Sequence, residues 1–236
     1  GVRATHSSIA NAIADAQAGD IITIGRGTYT EDPNFNVAGL TVIAANALSG
    51  YPDQVMIRGL STVNASNTTF IGIEFDARST TGASLQVGST AESDSFAALG
   101  CSFASADATE NRYGLRLRGG NNHRVIGCRF VNNARGLVVH SGLQSFASGV
   151  TVQGCEFLEQ TTLDFGNLGV APDAGAEYGI HNLAYMGNYH MRGDVTVADI
   201  INIADTTGTS SGAIAGNYFA NASNAIAVII IPAGVL

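Results

Sequence analysis

The chain has no lysine and no tryptophan, and only 4 prolines in 236 residues. All 11 basic residues are arginine, and nothing in the composition explains that bias. Charged residues make up 13% of the chain, against about a quarter in an ordinary globular protein. The formal net charge of -8 excludes a general nucleic-acid binder, which needs a basic face. No apolar run reaches the ~18 residues of a membrane-spanning helix. The longest, AIAVIII at 225–231, has the length of a strand. Walker loop, dinucleotide-binding fingerprint and hydrolase nucleophile elbow are all missing.

What the chain does have is glycine, 29 of them, and some recur at a near-fixed spacing. FIGIEF, ALGCSF, VIGCRF, VQGCEF, MGNYH and AGNYF align on Gly72, Gly100, Gly127, Gly154, Gly187 and Gly216, with steps of 28, 27, 27, 33 and 29 residues. Three residues after each glycine stand Phe75, Phe103, Phe130, Phe157, His190 and Phe219. Directly after it stand Ile73, Cys101, Cys128, Cys155, Asn188 and Asn217. Self-similarity of this period means stacked supersecondary units. Within a unit the runs are short and alternating, as in YGLRLRG, RGLVVHS and GVTVQG, and no helical period survives. That excludes α-solenoids and leaves a coil of short strands, each lying ~4.8 Å from its copy in the next turn.

The opening segment points the same way. In SSIANAIADAQAGDIITIGRGTYTE, residues 7–31, Ile9, Ile13 and Ala16 share one helical face and Gly19 is a good helix stop. IITI then starts the first strand. The repeat and this segment together resemble the pectin-lyase-like superfamily over essentially the whole chain. The resemblance implies an all-β fold, a single-stranded right-handed parallel β-helix of roughly eight coils with a short N-terminal capping α-helix. It implies a capping segment at 1–20 and the β-helix at 21–236, which continues past Leu236 or is covered there by a partner. Members often carry a ladder of inward asparagines at the bend, and here Cys101, Cys128, Cys155, Asn188 and Asn217 take that place. The phenylalanines then form an inward aromatic stack. Cysteines stacked in a line do not converge on a metal as zinc ligands must, so they read as buried free thiols.

Function must lie on the outward faces. If Leu115, Leu117, Leu137 and Val139 point inward, then Arg116, Arg118, Val138 and His140 point outward. His181, in YGIHNL, is placed on the next coil. Arg116, Arg118, His140 and His181 thus form a candidate ligand-binding cluster on an acidic protein. In lyase relatives such a face binds an anionic glycan, with basic residues neutralising a uronate carboxylate and one abstracting a proton. Asp76, Asp107, Asp164, Asp173 and Asp199 are scattered, giving neither a calcium site nor a hydrolase's carboxylate pair. No metal and no cofactor is expected. Long turns at 104–113 and 158–178 border the same strands and suit binding or subunit contact. The RGD at 192–194 and the sequons at Asn64, Asn67 and Asn221 carry little weight.

Sparse charge, the missing carboxylate cluster and an apolar C-terminal segment favour a structural virion protein: a phage capsid decoration, fibre or tailspike-type module at the virion surface or in the extracellular space. Its expected partners are other virion proteins or itself, as a trimer, with a glycan on the Arg116/His140 face. Neither nucleic acid nor membrane is expected. The alternative is a polysaccharide lyase, or another carbohydrate-active enzyme, using that same face.

Overall fold

The computed structural model describes residues 5–45, 47, 55–77, 82–90, 93–104, 113–140, 147–167, 180–191, 199–203, 211–220 and 227–230. A solenoid of three parallel sheets follows one short helix, Ile9–Asp15. Sheet 1 runs from Ile21–Ile24 to Gly212–Ala215, sheet 2 from Gly27–Thr30 to Tyr218–Ala220, and sheet 3 from Asn34–Phe35 to Ala227–Ile230. Each holds eight strands, taken in turn, so the chain completes eight coils. Of the segments singled out in the sequence, most of both long turns, the RGD, Asn221 and 231–236 lie outside the described residues.

The helix forms where its signals stand. The Ser8 side chain accepts from the Asn11 N–H, and the Glu31 carboxylate accepts from the N–H groups of Ile9 and Ala10 at 3.1 and 3.0 Å. Two of the free donors of the first turn are thus satisfied from the end of GTYTE, which ties the cap to the first coil. Ile9 and Ile13 close the top of the core.

The repeated glycine makes the bend between sheets 1 and 2. Gly72, Gly100, Gly127, Gly154, Gly187 and Gly216 all have φ between 58 and 66°. At Gly100, Gly127, Gly154 and Gly187 a Cβ would meet nothing within 4 Å, so the left-handed backbone, rather than lack of room, is what selects glycine there. The bend N–H groups bond to the next coil, as from Gly127 to Gln153 O at 2.9 Å. Past the bend the aromatic residues stack in register: Phe75–Phe103 at 5.5 Å, Phe103–Phe130 at 5.0 Å, Phe130–Phe157 at 4.7 Å, Phe157–His190 at 5.0 Å and His190–Phe219 at 4.8 Å. Burying each phenylalanine contributes about 1.5–3 kcal/mol, and offset stacking adds about 0.5–1.5.

The ladder has one acceptor slot. The Cys128 thiol donates to Ala98 O and that of Cys155 to Val125 O, both at 3.4 Å. Asn188 Nδ2 donates to Val152 O at 3.2 Å and Asn217 Nδ2 to Tyr185 O at 3.3 Å. Those four carbonyls are register partners along sheet 1. Thiol and amide therefore serve the same carbonyl column of the preceding coil. The amide does more: Asn188 Oδ1 also accepts the Cys155 N–H at 2.9 Å. The three thiols are buried and free. Burial, and hydrogen bonds to the thiols on either side, push the Cys128 thiol well above its usual range, so it stays protonated.

Candidate functional site on the outer face of sheet 3

Two consecutive strands of sheet 3, Tyr113–Arg118 and Arg135–His140, build the site. Their register pairs Tyr113 with Arg135, Arg116 with Val138 and Arg118 with His140. Leu115, Leu117, Leu137 and Val139 are fully buried in the solenoid core, which leaves their neighbours facing out. Arg116, Arg118, Arg135 and Tyr113 are half-buried.

Tyr113 organises the guanidiniums. Arg116 lies over its ring at 5.4 Å and Arg135 at 5.3 Å, and Arg135 Nη1 donates to the tyrosine hydroxyl at 2.9 Å. Cation–π contact of this kind holds an arginine in place without consuming its charge. Arg118 donates to Ser89 O at 3.2 Å. Among the described residues the ion pairs formed by arginine involve Arg58 and Arg129, so these three guanidiniums pair with no described carboxylate.

His140 and Val138 face outward and are nevertheless buried, His140 at 2% exposure. Strand alternation gives a side chain's direction and not what covers it. Among the described residues neither ring nitrogen of His140 has a hydrogen-bond partner, and its ring meets Tyr113 edge-on at 5.8 Å. Burial first, then the fields of Arg116, Arg118 and Arg135, push its pKa down to about 3, so it is neutral under ordinary conditions. Burial also lowers the Arg116 pKa, an effect opposed by Tyr113 and reinforced by Arg118.

His181 does not belong to this cluster. The strand of sheet 3 above Arg135–His140 is Leu163–Asn167, whereas Ile180–His181 pairs with Ala147–Ser148 in a separate two-stranded sheet. The misplacement comes from YGIHNL, which looks like YGLRLRG but lies late in the 33-residue step, after that coil's sheet 3 strand Leu163–Asn167. Tyr113 and Arg135, which sequence reading missed, precede the same Gly-Leu pair in YGLRLR and RGLVVH. That shared position was the available signal.

The aspartates serve other purposes. Asp76 is buried 3.5 Å from Arg58, and Asp164 is bonded to His190; Asp107 and Asp173 lie outside the described residues. Among the described residues no three His, Cys, Asp or Glu side chains gather as metal ligands would. A depression of about 390 Å³ lies away from the arginines, between the helix and the first strand of sheet 1.

No family model and no curated protein matches the chain. Solved structures do match it. Pectin methylesterase from Aspergillus niger, in deglycosylated form, is 15% identical over 98% of this chain and 89% of its own, with a TM-score of 0.56. Pectate lyase Pel9A is 16% identical over 96% of this chain and 75% of its own, at 0.54. Pectin methylesterase from carrot is 12% identical over 96% and 85%, at 0.50. These neighbours are pectin-processing, carbohydrate-active enzymes, and at such identities the likeness is one of fold. The chain shares with them the fold of a right-handed parallel β-helix.

Proposed function

We propose that this protein binds an acidic glycan on the outer face of sheet 3 and acts as a rigid binding module. Arg116, Arg118 and Arg135 receive the anionic group, and the neutral His140 underlies them. The observation that supports this is three guanidiniums without a carboxylate partner among the described residues, on a chain of net charge -8. An acidic protein that keeps a local positive field concentrates anions at that point. The guanidinium fork matches a carboxylate in two parallel hydrogen bonds.

The test is titration of uronate oligosaccharides into the intact chain. Arg116→Ala and Arg118→Ala are each expected to weaken binding about tenfold, or ~1.4 kcal/mol, with the fold unchanged by circular dichroism. Wild-type affinity that survives both substitutions would end the reading. The finer form is a phage virion module (capsid decoration, fibre or tailspike) assembled with itself as a trimer or with other virion proteins. Sparse charge and the uniform coil favour it. Sedimentation of the native source, with each fraction scored for this chain, tests it: a chain found only as a free monomer refutes assembly.

A second reading has one specific observation behind it. Burial lowers the pKa of Arg116, the direction that favours a group abstracting the proton next to a bound uronate's carboxylate. A lyase releases an unsaturated uronate, so wild-type product lost in Arg116→Ala would replace the binding module with an enzyme.

A further inference from the structure

Along the solenoid axis the outer face of sheet 3 changes character. One register column runs Thr62, Gln86, Arg116, Val138, Gly166. On the N-terminal side of the arginines it offers hydroxyl and carboxamide groups. Thr62 Oγ1 and Asn64 Nδ2 both donate to Asn34 Oδ1, at 3.2 and 2.9 Å, and Asn64 Oδ1 accepts the N–H groups of Ser89 and Thr90. This small lattice is pre-set and uncharged. The side chain of Gln86, half-buried between it and Arg116, makes no hydrogen bond among the described residues. Beyond Arg116 the column offers the buried Val138 and then Gly166 before it reaches the amide of Asn202. Among the described residues of this face positive charge is thus confined to two coils, while the two coils before it are neutral and rich in donors and acceptors.

We infer that the ligand is a heteroglycan lying along the axis, with one acidic sugar at Arg116, Arg118 and Arg135 and neutral sugars over Gln86 and Thr62. This rests on the acidic-glycan reading of the same face. Coils repeat every ~4.8 Å, close to what one pyranose adds to an extended chain, so Thr62 to Arg116 gives about 10 Å, room for two neutral residues. Charge complementarity decides the class. A homopolymer of uronates would set carboxylates over Gln86 and Thr62, where no cation meets them and each would lose water without compensation. A neutral hydroxylated sugar there finds amide and hydroxyl partners instead.

Calorimetry with three probes tests this: free glucuronate, an alternating hexasaccharide in which two neutral hexoses follow each glucuronate, and a galacturonate hexamer. The alternating hexasaccharide is expected to bind the wild type at least about tenfold tighter than the homopolymer, or ~1.4 kcal/mol. Gln86→Ala should weaken the alternating hexasaccharide about three- to tenfold while leaving free glucuronate unchanged, and Arg116→Ala should weaken all three probes. A homopolymer that binds as tightly as the alternating chain, or an alternating chain indifferent to Gln86→Ala, overturns the inference and leaves the acidic-glycan reading standing. Failure of every probe to bind the wild type overturns both.

Discussion

His190 interrupts a column of phenylalanines, and its replacement by phenylalanine gives a quantitative test of how this core is built. The imidazole stacks between Phe157 and Phe219 at 5.0 and 4.8 Å. Its Nδ1 lies 2.8 Å from Asp164 Oδ2 and its Nε2 3.0 Å from the Tyr185 hydroxyl, with His190 and Asp164 at 1% and 0% side-chain exposure. In the two preceding coils the position of Asp164 is Gly114 and Gly136, and the stacked residue beside each is Phe130 and Phe157. A Cβ on Gly136 would lie 2.9 Å from the Phe157 ring and 2.6 Å from Asp164 O. The rule is therefore glycine with phenylalanine, or aspartate with histidine. His190→Phe alone keeps the stack but takes the imidazole from a buried carboxylate and the hydrogen-bond partner from a buried phenol. Breaking a buried pair in this way costs about 3–5 kcal/mol. Asp164→Gly with His190→Phe recreates the preceding coils and should recover most of that, giving a coupling of more than about 2 kcal/mol. Urea unfolding followed by far-ultraviolet circular dichroism measures all four proteins. A His190→Phe variant within about 1 kcal/mol of wild type, or a double variant no better than the single, would refute the reasoning.

Two further outcomes follow from the same geometry. His140 is held near 3 in the folded chain against about 6.5 when unfolded, so the unfolded state binds more protons between those values. Its contribution is complete above pH 6.5 and is lost as pH falls toward 3, at about 1.4 kcal/mol per pH unit; His140→Leu should flatten the stability profile over that window, and an unchanged slope would show that other groups set it. Gly127→Ala meets only backbone strain, about 1–2 kcal/mol, since no atom lies within 4 Å of the new methyl. Gly136→Ala drives into Phe157 and Asp164 O and should cost clearly more, so equal losses in thermal unfolding would contradict the distinction between a conformational and a steric glycine.

Repetition made the fold legible and hid the site. The Gly-x-x-Phe period sufficed to place the bend, the stack and the column of inward donors, because each coil reuses one geometry and the signal adds up over several copies. The helix cap was equally readable, though the role of Glu31 in holding its first turn was not, since a carboxylate 21 residues from the N–H it accepts leaves no local pattern. Chemistry, by contrast, stands where a column departs from its own repeat. Arg116 follows Gln86 and precedes Val138; Asp164 follows two glycines; His190 follows four phenylalanines. Each departure is a single residue and looks like noise when read along the chain. Read across the coils, two of them meet: the coil that gives up its glycine for Asp164 is beside the coil that gives up its phenylalanine for His190, and the two side chains bond. The His181 error has the same origin in reverse, a resemblance along the chain that the register does not honour. In a solenoid the physical neighbours of a residue lie one period away, so a site written over Gln86, Arg116 and Arg135 can be found only by aligning columns, and a substitution there should be judged by what stands a coil above and below it.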